Sequence, residues 1–278
     1  MTLNNMPITY SSTGGRAIRI MKTGLQTASS TKDAGVEERL EFLGRKANSL
    51  YNFIYGYLSG DEALFETDDE ILNWTLVDVV DDLSASIWNL GSGFYKTAAS
   101  CQRGALEMAV VSLYFQKHEN ESKALGGYNL QFSDWDAGSS STPNWGTTKP
   151  FLKKHRLVTA FHAKAGFCVM ESAHEFFKYL CSFTHSRAFS PEDGLGSNTM
   201  NMKSDIGVFH EEEFQRIAIA LDNTVAHIVS MWSVMYPHVV QDWESSNGVK
   251  GHLSFEELFC TLSSQAALEF ARAENAKA

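Results

Sequence analysis

The stretch Lys96–His118, KTAASCQRGALEMAVVSLYFQKH, limits the folds open to this chain more than any other. Ala99, Arg103, Glu107, Val110 and Tyr114 recur at steps of three and four, so they share one side of a helix. Leu106, Val110 and Leu113 add an adjoining apolar stripe. A helix apolar on most sides is buried among other helices. This one carries a charged pair, Arg103 and Glu107, into that setting. Desolvating two ions costs several kcal/mol each unless both find further partners, so burial predicts polar groups arriving from elsewhere in the chain. A solvated pair at this spacing contributes only about 0.2–0.5 kcal/mol.

The helical period continues on both sides. Val36 to Leu58 opens with acidic residues, as a helix N-terminus favours, and turns Leu40, Leu43, Leu50 and Phe53/Ile54 to one face. The segment Thr67 to Tyr95 starts with Thr67 as an N-cap followed by Asp68, Asp69 and Glu70. Thr159–Phe183, Phe209–Tyr236 and Ser254–Ala273 read as three more long helices. Two irregular connections intervene, Gly126–Lys149 and the polar run from His185 to about Gly207. The first is dense in turn formers yet carries Tyr128, Phe132, Trp135 and Trp145, which predicts a loop folded back over the bundle. Pro150 is placed at the first turn of a short helix, FLKKHR. The expected architecture is all-α: one domain over residues 35–278, a bundle of about six long helices with two long irregular loops. Residues 1–34, rich in Ser, Thr and Gly and without period, form a flexible or loosely packed arm in this reading.

Composition narrows the functions. Hydrophobic residues at 44% suffice for a large core, and a formal net charge of −10 argues against broad, non-specific phosphate binding. A small local RNA site stays open. Cys101, Cys168, Cys181 and Cys260 form no CxxC and read as reduced thiols. No signal peptide is visible, and no uninterrupted apolar run reaches the roughly 18 residues of a membrane span, so a cytoplasmic protein is expected. Asp78, Asp81 and Asp82 read as a solvated face. Glu171 and His174 make a single Glu-x-x-His pair, whereas di-iron bundles use two such pairs and two more glutamates. Neither a metal nor a cofactor is expected.

The candidate site is assembled from helix ends. His185 and Arg187 fall where a helix stops ahead of Pro191, Gly194 and Gly196. They are placed to meet Glu107 and Arg103 from a neighbouring helix. Arg103, Glu107, His185 and Arg187 are the first candidate group. The structural alternative is a buried polar network that fixes helix register. Asn223 and His227 lie together on one face of the late helix, with Arg216 about three turns away, and form a second group.

These residues also carry a resemblance. Arg103-x-x-x-Glu107, then Phe132-x-x-Trp135 with Pro143-Asn144-Trp145, then Tyr179, Leu180, Ser182 and His185, resemble a group of uncharacterised bacterial helical proteins similar to HEPN domains. The match covers about residues 80–235. It implies a compact helical bundle from toxin–antitoxin or antiphage systems, dimerising through its helices or meeting a partner protein, and acting on RNA. Active HEPN ribonucleases carry Arg-x4–6-His on a late helix and need no metal. Here Asn223 and His227 occupy matching positions, but Asp222 stands where the arginine would. Arg156 and His162 have the spacing on an earlier helix. Cleavage by that route needs an imidazole near the 2′-hydroxyl and a cation for the phosphorane. An aspartate repels that charge. A non-catalytic adaptor therefore stands beside the ribonuclease as the second reading.

Overall fold

A computed structural model describes residues 35–59, 70–125, 130–184, 209–245 and 255–277. Among the described residues every regular element is a helix. Six are long: α1 (Val36–Ser59), α2 (Glu70–Gly91), α3 (Tyr95–Ala124), α7 (Val169–Thr184), α8 (Glu211–Met235) and α11 (Leu262–Asn275). Five are short: α4 (Leu130–Asp136), α5 (Trp145–Leu152), α6 (Arg156–Ala165), α9 (His238–Ser245) and α10 (Phe255–Leu258).

The long helix α3 is the centre. Ala98, Ala99, Ala105, Leu106, Ala109, Val110 and Leu113 are buried along it, and it packs against α2, α7 and α8. Small side chains let the neighbouring backbones approach closely. The α2–α3 pair is the most extensively packed. Gly93, at φ 76, turns the chain between them, and Phe94 N–H closes on Asn89 O at 2.8 Å. An L side chain is strained at that φ. The backbone N–H of His210 donates to Tyr95 Oη at 2.8 Å, which ties the start of α8 to the start of α3. By length and composition α8 is apolar enough to cross a membrane, with mean hydropathy 1.3, and it lies mostly buried inside the bundle. Phe214, Ile217, Leu221, Val225 and Ile228 supply its core face.

Three boundaries differ from the sequence reading. The helix expected over Thr159–Phe183 is two, α6 and α7, because Gly166 takes φ 78 and its N–H bonds His162 O, a left-handed C-cap. The connection Gly126–Lys149 contains α4 and the start of α5. Asn144 caps α5 by accepting from Thr147 N–H, so Pro150 lies inside that helix rather than in its first turn. The last helix is interrupted: Thr261 and Ser264 cap α11 reciprocally, which separates it from α10. The aromatic loop residues do pack back on the bundle, Phe132 and Trp135 lying 5.5 and 5.3 Å from Phe115.

Candidate functional site

Arg103 and Glu107 stand on α3 facing α7, both partly buried. Their partner from α7 is Cys181. Arg103 hydrogen-bonds to its sulfur, and Glu107 lies within electrostatic reach. Burial pushes the Cys181 thiol above its ordinary value; Arg103 pulls it down and Glu107 pushes it up. The pair thus spans the α3–α7 contact. His185 and Arg187, named as its partners from the sequence, lie outside the described residues.

The fully buried polar group of α3 is the neighbour, Gln102. It is 0% exposed, and its Nε2 donates to Ser86 Oγ of α2 at 3.0 Å and to Ile217 O of α8 at 3.1 Å. One amide therefore joins three helices. The sequence singled out the charged residues and passed over this neutral one.

The second candidate group sits on α8. The His227 ring lies 4.9 Å from Phe176 of α7, and burial lowers its pKa to about 4. Its imidazole is neutral at pH 7. Asn223, one turn away, is partly buried. Asp222, where an arginine would complete the ribonuclease pattern, is held by two cations of α1. Arg39 Nη2 donates to Oδ2, and Lys46 Nζ donates to Oδ1 at 2.9 Å. Lys46 is 1% exposed, the most buried charge among the described residues, and it also donates to Cys260 Sγ at 3.1 Å. Nothing in the sequence linked Lys46 to Asp222, since α1 and α8 lie far apart in the chain.

Glu171 and His174, one turn apart on α7, meet a cation. Lys149 Nζ of α5 lies 2.9 Å from Glu171 Oε2 and 3.0 Å from His174 Nδ1. Lys153 adds a second donor to Glu171 at 2.6 Å. The two lysines pull the Glu171 carboxyl down to about 2, Lys153 contributing most. Burial, aided by Lys149, lowers the His174 pKa, and its ring stacks on Trp145 at 5.1 Å. The Glu-x-x-His pair thus holds an ammonium. Among the described residues no three of His, Cys, Asp or Glu converge as a metal site would require.

The described members of the two candidate groups reach α7 at different residues. Arg103 and Glu107 act at the α3–α7 contact, whereas His227 contacts α7 through Phe176. One further feature stands apart, on the outer side of α2. Val77, Asp78, Asp81, Ser84 and Trp88 form a continuous exposed stripe, with Trp88 75% exposed. Burial and mutual repulsion raise the carboxyls of Asp78 and Asp82. No protein-family model, curated protein or solved structure matches the chain.

Proposed function

We propose that this chain is a non-catalytic helical interaction protein, cytosolic and acting by docking a partner that carries a basic segment. The observation that carries the reading is the outer stripe of α2. A tryptophan 75% exposed is costly to leave in water, and tryptophan is the commonest anchor of binding hot spots. Val77 lies on the same stripe, and Asp78 and Asp81 flank it. Two neighbouring carboxylates that repel one another gain from an incoming cation, and charge complementarity of this kind sets partner choice. A lysine- or arginine-bearing segment fits; a second copy of this acidic chain fits less well.

The polar residues elsewhere support the same reading, being engaged between helices: Arg103 with Cys181, and Asp222 with Arg39 and Lys46. The test is binding of a fluorescent lysine-rich amphipathic peptide to the wild type, to Trp88→Ala and to Asp78→Asn/Asp81→Asn. Saturable binding lost in both variants is the expected result. Binding unchanged by both, or a wild-type dimer in light scattering that Trp88→Ala dissociates, refutes the basic partner.

A HEPN-like RNA-targeting effector, of toxin–antitoxin or antiphage type, is the second reading. It is favoured by Asn223 and His227 standing one turn apart on the late helix α8. Total RNA from cells expressing the wild type beside His227→Ala decides it. Fragmentation lost in the variant supports the nuclease, and intact RNA removes it.

A further inference from the structure

Cys260 lies at the break between α10 and α11, exposed, directly before the residue that caps α11. The positive end of that helix follows it in the chain. Its sulfur is 3.1 Å from Lys46 Nζ, which reaches it from α1 through the core side, 1% exposed, with Asp222 Oδ1 as its other polar contact at 2.9 Å. Arg39 and Arg45 lie with Lys46 around the Phe42 ring, and Asp222 accepts from both Arg39 and Lys46. An exposed cysteine is open to oxidants, and the thiolate is the form that reacts. Here the thiol faces solvent on one side and an amine on the other.

We propose that Cys260 and Lys46 are a modification site, joined covalently through Sγ and Nζ when the protein meets a peroxide. The thiolate attacks one peroxide oxygen and the O–O bond breaks. The Lys46 ammonium gives a proton to the departing hydroxide, which leaves as water. Sulfur is oxidised to the sulfenic acid, peroxide is reduced, and Lys46 becomes a neutral amine beside the sulfenic sulfur. Its lone pair attacks that sulfur, the S–O bond breaks, and hydroxide takes an amine proton and leaves as a second water. The net change is thiol, amine and peroxide to one S–N bond and two waters. The link ties α1 to the start of α11 and removes the Lys46 charge, leaving Asp222 to Arg39.

Two features make the pairing specific. The amine is shielded from solvent, so it meets no competing electrophile, and the sulfenic acid forms within contact of it. Cys101 and Cys181 are only partly buried and serve as internal comparisons. The experiment treats the full chain with hydrogen peroxide. Digestion follows without reductant, using a protease that does not cut at lysine, and the peptides are read by mass spectrometry. The expected product is the Lys46 peptide joined to the Cys260 peptide, two hydrogens lighter than their sum. It is absent from Cys260→Ser, whose exposed position keeps the fold by circular dichroism, and dithiothreitol separates it. Cys260 recovered as a sulfinic acid or a disulfide, with the Lys46 peptide unmodified, overturns the proposal. So does oxidation of Cys101 or Cys181 ahead of Cys260.

Discussion

Removing Asp222 tests the burial logic of the bundle most directly. Asp222→Ala deletes both oxygens that receive Arg39 and Lys46. Arg39 is 27% exposed in its side chain and relaxes into water, so its share is about 0–1 kcal/mol. Lys46, at 1%, keeps the Cys260 sulfur and the Phe42 ring 5.7 Å away, neither of them a charge partner. Breaking a buried pair by removing one partner costs about 3–5 kcal/mol. Asp222 itself is 16% exposed and lets water approach, which places the cost at the lower end, about 3 kcal/mol. For a chain of this size that lowers Tm by about 6 °C. Urea unfolding followed by far-UV circular dichroism measures it, and Arg39→Ala is the control at under about 1 kcal/mol. Lys46→Met combined with Asp222→Leu recovers most of the loss, because an apolar pair of similar volume replaces the ions without stranding either. An Asp222→Ala cost below about 1 kcal/mol, or an Arg39→Ala cost equal to it, refutes the reasoning.

Three further outcomes are expected. His227 is held neutral down to about pH 4 in the folded chain, whereas in the unfolded chain it titrates near 6.5. Between those values the unfolded state binds the extra proton, so stability falls as pH drops through that window, by about 3 kcal/mol in all, and is unaffected above it. His227→Phe flattens that part of an unfolding-versus-pH curve; an unchanged slope contradicts the burial. Glu171 is 41% exposed, so its depressed carboxyl adds little despite two lysines: Glu171→Gln costs under about 1 kcal/mol, a difference that disappears in chemical denaturation at about 1 M salt. Two helix glycines separate propensity from space. Gly44→Ala meets nothing within 4 Å and raises stability by about 0.5–1 kcal/mol in urea titrations, whereas at Gly104 a new Cβ falls 2.4 Å from Asp82 Oδ2 and the same substitution lowers it.

The helical period carried most of the architecture. Leu43, Leu50, Phe53 and Ile54 on α1, and Phe214, Ile217 and Leu221 on α8, are buried as their spacing requires. Long helices were legible because each repeats its signal over several turns. Their breaks were not: Gly166 ends α6 through one residue's φ, and an isolated glycine within an apolar pattern also occurs inside helices. The short helix α4 was hidden because a few turns of periodicity do not stand out against dense turn formers. For the polar groups the limit is different. Arg103 and Glu107 were visible as charges out of place, but which groups they meet depends on how α7 lies against α3. Gln102 and Lys46 were invisible as special because their burial comes from helices far away in sequence. Asp222 looked like a defect in a motif and is the acceptor of a buried cation.

The Lys46–Asp222 contact spans 176 residues of chain, while α2 and α3 are joined by a short turn. Closing a short loop is entropically cheap, so the α2–α3 hairpin assembles early and the α1–α8 contact late. Both ions then stay hydrated in the transition state for folding, and their pairing appears only on its native side. Weakening the pair with Asp222→Asn therefore quickens unfolding and leaves the folding arm of a chevron in place. The buried ion pair sets how long the folded molecule lasts, not how fast it forms.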